Sequence, residues 1–144
     1  MRMILAPAIL MWAVIGASNA AGQTKSISGE WIAADGKATV RFGPCVGSQA
    51  NLCGRLVDLP PALRKVPDFK NADPALRRRP LLGILLFMEL HPDGPNHWGG
   101  GKLYYPRDGK TYDAKMALDR NDVLTISGCV FGLCKGQTWT RVNH

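Results

Sequence analysis

A run of cationic side chains near the middle of the sequence could bind an anion. Lys70 is followed closely by the three consecutive arginines Arg77–Arg79. A guanidinium group recognises a carboxylate or a phosphate through two parallel hydrogen bonds, so we assign ligand contacts to Lys70 and Arg79. Asp68 and Asp73 lie in the same segment, and an internal salt-bridge network that braces this loop is the favoured alternative.

A second cluster combines aromatic residues and glycines along one predicted strand. Residues 98–104 read Trp-Gly-Gly-Gly-Lys-Leu-Tyr. Glycine inside a strand marks the close approach of a ligand or another backbone, or a bend at a barrel corner. We therefore assign Trp98 and Tyr104 as ligand contacts. A sharply coiled strand packed by its own aromatic side chains would show the same pattern and is the favoured alternative.

No combination of residues identifies a catalytic site. His97 could act as a general base, but no neighbouring carboxylate or nucleophile motif accompanies it. No serine stands in a Gly-x-Ser-x-Gly sequence, and Gly99–Gly101 leads into a predicted strand rather than a phosphate-binding helix. We expect no cofactor and favour binding over catalysis, while the question of enzyme activity stays open.

The four cysteines form two close pairs in sequence, Cys45 with Cys53 and Cys129 with Cys134. Each pair lies in a glycine-containing segment between strand-like runs, where a disulfide would clamp a hairpin loop. Three connectivities are possible, and local pairing is favoured. Zinc is the competing interpretation, but neither pair has the two-residue spacing of a zinc knuckle, so we expect no metal.

Residues 1–20 predict an export signal. A basic start precedes the apolar stretch 4–15, and the small residues Ser18 and Ala20 suit a signal peptidase. The apolar stretch is too short for a membrane-spanning helix, which needs about 20 residues. Cleavage after Ala20 would leave residues 21–144 as a single domain in the periplasm or outside the cell.

The charge balance favours anionic partners. The chain has 18 Lys and Arg against 11 Asp and Glu, a formal net charge of +7. An exported protein rarely meets nucleic acid, so an anionic envelope component such as lipid, lipopolysaccharide or cell-wall polymer is the expected partner. The alternative is that the charge only keeps the protein in solution.

Two-residue periodicity predicts an all-β fold. Apolar and polar residues alternate, as in 37–42 and 110–118, and Asp-Gly turn sequences separate the runs. The predicted strands are Ser28–Ala33, Lys37–Phe42, Leu52–Leu59, Leu81–Leu90, His97–Tyr104, Thr111–Leu118, Val123–Cys129 and Gly136–Val142.

Eight antiparallel strands in succession are best accommodated by a closed up-and-down barrel, because closure leaves no free edge strand. The longest connection, 60–80, contains Asp73-Pro74, an N-cap followed by proline. This pair predicts one short helical turn over 74–78.

Several motifs together are similar to a known bacterial family. They are Gly29-Glu30-Trp31, Cys53–Val57, Asp68–Gly83, Tyr105–Tyr112 and Thr138–Arg141. As a set they resemble the bacterial family named domain of unknown function 2147, across nearly all of the predicted mature chain. The resemblance implies an exported protein with a lipocalin-like barrel, and it brings no established activity and no catalytic residues.

A wider resemblance is to lipocalins. In that family a Gly-x-Trp near the first strand packs its indole against a basic side chain at the end of the last strand. The resemblance implies that Trp31 and Arg141 form this pair and close the base of the barrel. Such cation–π stacking contributes about 1–2 kcal/mol when it is desolvated.

Two functions are compatible with these features. The leading hypothesis is an exported binding module that holds a small apolar or amphipathic anionic ligand in or at the mouth of the barrel. The alternative is a filled barrel that acts through its basic surface as an envelope interaction or stress-related protein. A cavity would distinguish them, because a packed interior leaves no room for a ligand.

Overall fold

The alternating apolar residues of the sequence line the inside of a closed β-barrel. The structure is a computed structural model that describes residues 25–143. The predicted export signal therefore lies outside the described residues. The strands are β1 Gly29–Ile32, β2 Thr39–Cys45, β3 Ser48–Asp58, β4 Leu85–Pro92, β5 His97–Tyr105, β6 Lys110–Leu118, β7 Val123–Val130 and β8 Leu133–Arg141.

Each strand pairs with its neighbours in sequence, and β8 pairs with β1 to close the barrel. The closing register joins Trp31 to Arg141 and Ile32 to Thr140. The predicted eight-stranded antiparallel up-and-down barrel is therefore confirmed. Among the described residues, no helix is long and apolar enough to cross a membrane.

One predicted strand, that from Leu81, begins too early in the sequence. The apolar run from Leu81 begins as a turn, and the strand starts at Leu85. Gly83 has a φ of +93° and donates its N–H to Leu56 O at 2.8 Å, which reverses the chain before the strand begins. Hydrophobicity alone could not reveal this turn, because both turn and strand bury apolar side chains.

The core contains a cluster of three aromatic residues, Phe42, Phe87 and Trp139. The ring centroid of Phe42 lies 5.0 Å from that of Phe87 and 6.5 Å from that of Trp139. Gly54 makes room for this cluster, since a Cβ there would lie 2.6 Å from the Phe42 ring. Trp31, Leu90 and other fully buried residues extend the core.

Both local disulfides are present. Cys45 bonds to Cys53 and Cys129 bonds to Cys134. The first bridges β2 and β3, and the second bridges β7 and β8. The connections they brace have only two residues each, so the flanking strands extend further than the sequence pattern predicts.

Arg141 closes one end of the barrel over Trp31. Its guanidinium carbon lies 4.3 Å from the centroid of the indole. Arg141 also donates hydrogen bonds to Ser26 O, to Ser28 O and to the Asp122 carboxylate. The guanidinium group thereby joins the first strand, the last strand and the chain segment that precedes the barrel.

The connection between β3 and β4 contains two single-turn 3-10 helices, Pro61–Leu63 and Pro74–Leu76. The second lies within the predicted helical turn, and Asp73 caps it by accepting a hydrogen bond from Ala75 N at 2.9 Å. The first was not predicted, because its N-cap residue Pro60 makes no side-chain capping bond.

Candidate functional site

The two ends of the barrel differ in their connections. In an up-and-down barrel alternate connections lie at the same end, so the segments 33–38, 59–84, 106–109 and 131–132 meet at one end. We call this end the mouth. The opposite end, which Trp31 and Arg141 close, is the base.

A cavity of about 610 Å³ opens at the mouth. Its inner wall is apolar, and polar side chains surround its entrance. The apolar residues include Ala38, Leu56, Leu59, Phe87, Leu103 and Trp139. The polar and charged residues are Asp35, Lys37, Lys70, Tyr104, Tyr105, Arg107 and Gln137.

A second cavity, of about 390 Å³, adjoins the first. The two share Leu103, Tyr105 and Gln137 in their linings, so the mouth half of the barrel is not filled by side chains. The second cavity is more polar, because Tyr112 and Lys135 contribute to its wall.

Asp68 fastens the long connection beside the larger cavity. Its carboxylate is fully buried. One oxygen accepts hydrogen bonds from Arg79 Nε at 3.0 Å, from Arg79 Nη2 at 2.9 Å and from Asn71 Nδ2 at 2.8 Å. The other oxygen accepts a hydrogen bond from the Tyr104 hydroxyl at 2.5 Å. This carboxylate therefore joins the connection to strand β5.

The hydroxyl of Tyr104 is held in its neutral form. Burial, followed by the hydrogen bond to Asp68, raises the pKa of Tyr104 to about 12. The guanidinium of Arg79 lies 5.8 Å from the Tyr104 ring centroid and opposes this rise. At physiological pH Tyr104 is a hydrogen-bond donor with a fixed partner.

Two further contacts hold the entrance. Lys70 Nζ donates to Arg107 O at 2.7 Å, and Arg107 forms an ion pair with Asp35 at 2.8 Å. Gly109 allows the long connection to lie against the β5–β6 turn, because a Cβ there would lie 1.8 Å from Lys70 O. Three connections that are distant in sequence thus meet at one side of the cavity.

The four residues assigned from sequence occupy different places. Tyr104 and Lys70 line the larger cavity. Arg79 is bound to Asp68, in the type of internal salt-bridge network that the alternative interpretation describes. Trp98 lies near the base, paired with Pro92 and Met116, and lines neither cavity.

Several lining residues were not singled out from the sequence. Lys37 and Arg107 lie in short turns, and Gln137 and Trp139 lie on the last strand. Alternation along β8 places Gln137 and Trp139 on one face, and this was the only available signal. The meeting of that face with the two turns depends on barrel closure.

Within residues 25–143, the hydrogen-bond partner of the His97 ring is a backbone carbonyl and not a catalytic group. Its Nδ1 lies 2.7 Å from Pro95 O, near the base and away from both cavities.

Comparisons with known proteins agree with this architecture. The barrel is similar to protein HP1028 from the human pathogen Helicobacter pylori, which belongs to the lipocalin family. The TM-score is 0.73 at 24% identity, over 83% of this chain and 85% of that chain, and at this identity the similarity concerns the fold. No curated protein matches the chain. A family model described as an uncharacterized protein conserved in bacteria matches residues 29–141, from β1 to the end of β8, and the chain therefore belongs to that family, DUF2147.

Proposed function

We propose that the protein is an exported binding module that holds a small apolar or amphipathic anionic molecule in the cavity at the barrel mouth. The observation that carries this proposal is the cavity of about 610 Å³ with its apolar inner wall. Small-molecule sites have volumes of about 300–1,000 Å³, mostly apolar linings and a few polar groups that orient the ligand.

The polar groups at the entrance favour an anionic head group. Three cations, Lys37, Lys70 and Arg107, line the cavity with a single carboxylate, that of Asp35. Asp35 is already paired with Arg107. The positive charges of Lys37 and Lys70 remain. The apolar part of the ligand would lie against the inner wall of the cavity, and its carboxylate or phosphate would lie beside these two lysines.

We propose Tyr104 and Lys70 as direct contacts of the ligand. Arg79 acts on the site indirectly in this proposal, because its bonds to Asp68 hold the connection that carries Lys70. Trp98 is outside the proposed contact set, since it lines neither cavity.

The alternative of a filled barrel that works through its basic surface is less well supported. It requires a packed interior, whereas two adjoining cavities lie in the mouth half of the barrel.

Ligands that copurify with the protein provide the first test. The protein is purified from its native host, and the organic extract is analysed by mass spectrometry. A lipid or amphipathic metabolite in stoichiometric amount is expected. A clean extract, together with no binding of an added fluorescent fatty acid, would contradict the proposal.

Variants locate the binding site. Ala38→Trp should fill the cavity and weaken fatty acid binding about ten-fold, whereas Ala117→Trp, on the outer face of β6 between buried Met116 and Leu118, should not.

Lys70→Gln should weaken binding of the fatty acid about three-fold, and should leave binding of the corresponding fluorescent alcohol unchanged. Lys115→Gln, also on the outer wall, is the matched charge control. Equal effects of the cavity and wall variants would place the ligand elsewhere.

A further inference from the structure

The turn between β7 and β8 presents apolar side chains to solvent at the mouth. Phe131 is 100% exposed, Leu133 is 81% exposed and Val130 is partly exposed. Contiguous exposed apolar side chains on a folded protein mark an interaction surface more often than isolated ones do. We call Val130, Phe131 and Leu133 the apolar tip.

Local folding does not explain the phenylalanine in this turn. Phe131 and Gly132 have φ values of +49° and +78°, which are the left-handed conformations of a two-residue hairpin turn. Such positions favour asparagine, aspartate and glycine, and a bulky side chain there is strained. Phe131 is also fully exposed. It therefore stabilises the fold neither through a favourable turn conformation nor through burial. A residue that is unfavourable locally and unburied indicates a selected surface role.

The Cys129–Cys134 disulfide holds the apolar tip in place. It joins the two strands directly below the turn, with the Cα atoms 4.0 Å apart. The tip is therefore presented at a fixed position, and its ordering on contact with a partner costs less conformational entropy than that of a flexible loop.

Positive charge surrounds the tip at the same end of the barrel. Within residues 25–143, the mouth cations with neither an ion pair nor a side-chain hydrogen bond are Lys37, Lys65, Arg78, Lys110 and Lys135. By contrast, Asp35, Asp58 and Asp68 are each paired with an arginine. The remaining mouth acids Asp73 and Asp108 accept hydrogen bonds from Ala75 N and the Tyr112 hydroxyl.

We propose that the mouth docks on the surface of an anionic phospholipid bilayer. Phe131 and Leu133 enter the boundary between head groups and acyl chains, while the unpaired cations contact the head-group phosphates. Apolar insertion combined with a basic surface is the arrangement by which peripheral proteins bind anionic membranes. Phe69, which is exposed and lines the cavity entrance, adds to the same surface.

This inference does not depend on the ligand of the cavity. The apolar tip lines neither cavity, so docking and ligand binding can fail separately. Docking would place the entrance of the larger cavity against the bilayer.

Sedimentation with vesicles tests the docking of the mature, disulfide-bonded protein. We expect binding to vesicles that contain about 30% phosphatidylglycerol in phosphatidylcholine, weaker binding at about 0.5 M NaCl, and little binding to pure phosphatidylcholine. Equal binding to both vesicle types would overturn the proposal.

The chain offers a matched control for the apolar tip. Val46 is 98% exposed in the other two-residue turn braced by a disulfide, and it lies at the base. We expect Phe131→Ser combined with Leu133→Ser to lower the partition coefficient ten-fold or more, because the variant loses the transfer free energy of two apolar side chains. Val46→Ser should leave the partition coefficient unchanged. Similar effects of the tip and base variants would overturn the proposal.

Variants of the mouth cations test the docking independently of the apolar tip. Removing Arg78 and Lys65, which line neither cavity, each as a glutamine variant, should lower binding about five-fold per charge. Arg120→Gln, in the β6–β7 turn at the base, should not lower it.

A second copy of the chain is the competing occupant of the tip. A dimer in sedimentation velocity that Phe131→Ser dissociates, with no binding to anionic vesicles, would overturn membrane docking in favour of self-association.

Discussion

The Asp68 carboxylate joins the long β3–β4 connection to the barrel wall beside the site. It is fully buried, and its two oxygens receive hydrogen bonds from Arg79, Asn71 and Tyr104. A buried charge is tolerated only when it is paired and hydrogen bonded in this way. The cationic run of the sequence therefore includes one arginine that braces the loop through Asp68, while its neighbour Arg78 faces solvent.

Replacing Asp68 should destabilise the barrel strongly. Asp68→Asn removes the charge that offsets Arg79 and provides one fewer accepting oxygen, so we expect the free energy of unfolding to fall by about 2–4 kcal/mol. Urea unfolding with the disulfides intact measures the change. Asp58→Asn is the control, because the exposed pair of Asp58 with Arg64 should contribute less than about 1 kcal/mol. Equal losses in the two variants would show that Asp68 is not an anchor.

At the scale of elements, two hairpins with the same construction lie at opposite ends of the barrel. Each has a two-residue connection and a disulfide across the strands that flank it. In one hairpin, β7 and β8 pair continuously from Val123 with Thr140 to Val130 with Leu133, whereas the register of β2 against β3 shifts between Pro44 and Cys45. The Cys129–Cys134 disulfide therefore braces a regular hairpin, and Cys45–Cys53 braces one whose pairing is irregular beside the bridge.

Removing one bridge should lower stability without changing the fold. The loops closed by the disulfides have sequence separations of 8 and 5 residues. By the chain-entropy model, loss of Cys45–Cys53 or Cys129–Cys134 as a double serine variant should each cost roughly 2–2.5 kcal/mol. Thermal unfolding followed by circular dichroism measures the loss. A cost near zero would mean that the unfolded chain gains little freedom when the bridge is removed.

At the scale of the whole molecule, Arg141 is where the first and last strands are joined. It stacks on Trp31, and its Nε donates to Asp122 Oδ2 at 2.9 Å. The hydrogen bond from Arg141 holds the pKa of Asp122 below its ordinary value of 3.8, against a smaller opposing effect of burial. The closure of the barrel is consequently linked to the ionisation of this carboxylate.

This linkage sets the sign of an acid effect. Because the folded-state pKa of Asp122 is lowered, its contribution to stability is present above pH 3.8 and is lost as the pH falls through the folded-state pKa. The free energy of unfolding of the natural protein should therefore exceed that of Asp122→Asn at near-neutral pH, and the difference should shrink in acid. A difference that stays constant down to the most acidic conditions would disprove the linkage.

The local features of the fold could be predicted from the sequence. Two-residue alternation and Asp-Gly turns depend on residues that are adjacent along the chain. The number of strands, their order and the closure of the sheet into a barrel could therefore be predicted from the sequence. The cysteine pairs are likewise local, as is the capped turn at Pro74. The predicted start of β4, at Leu81, was wrong because the turn at Gly83 depends on a backbone hydrogen bond to Leu56, which is remote in sequence.

The tertiary structure alone decided the site. Asp68 meets Tyr104 across 36 positions, and Arg107 meets Asp35 across 72. Such contacts exist only after the sheet has closed and its connections have gathered at one end. Alternation along a strand determines which side chains point inward, but the space they leave unfilled depends on the sizes of all the inner side chains together. The sequence therefore determined that there would be a barrel, and closure determined that its mouth would be hollow.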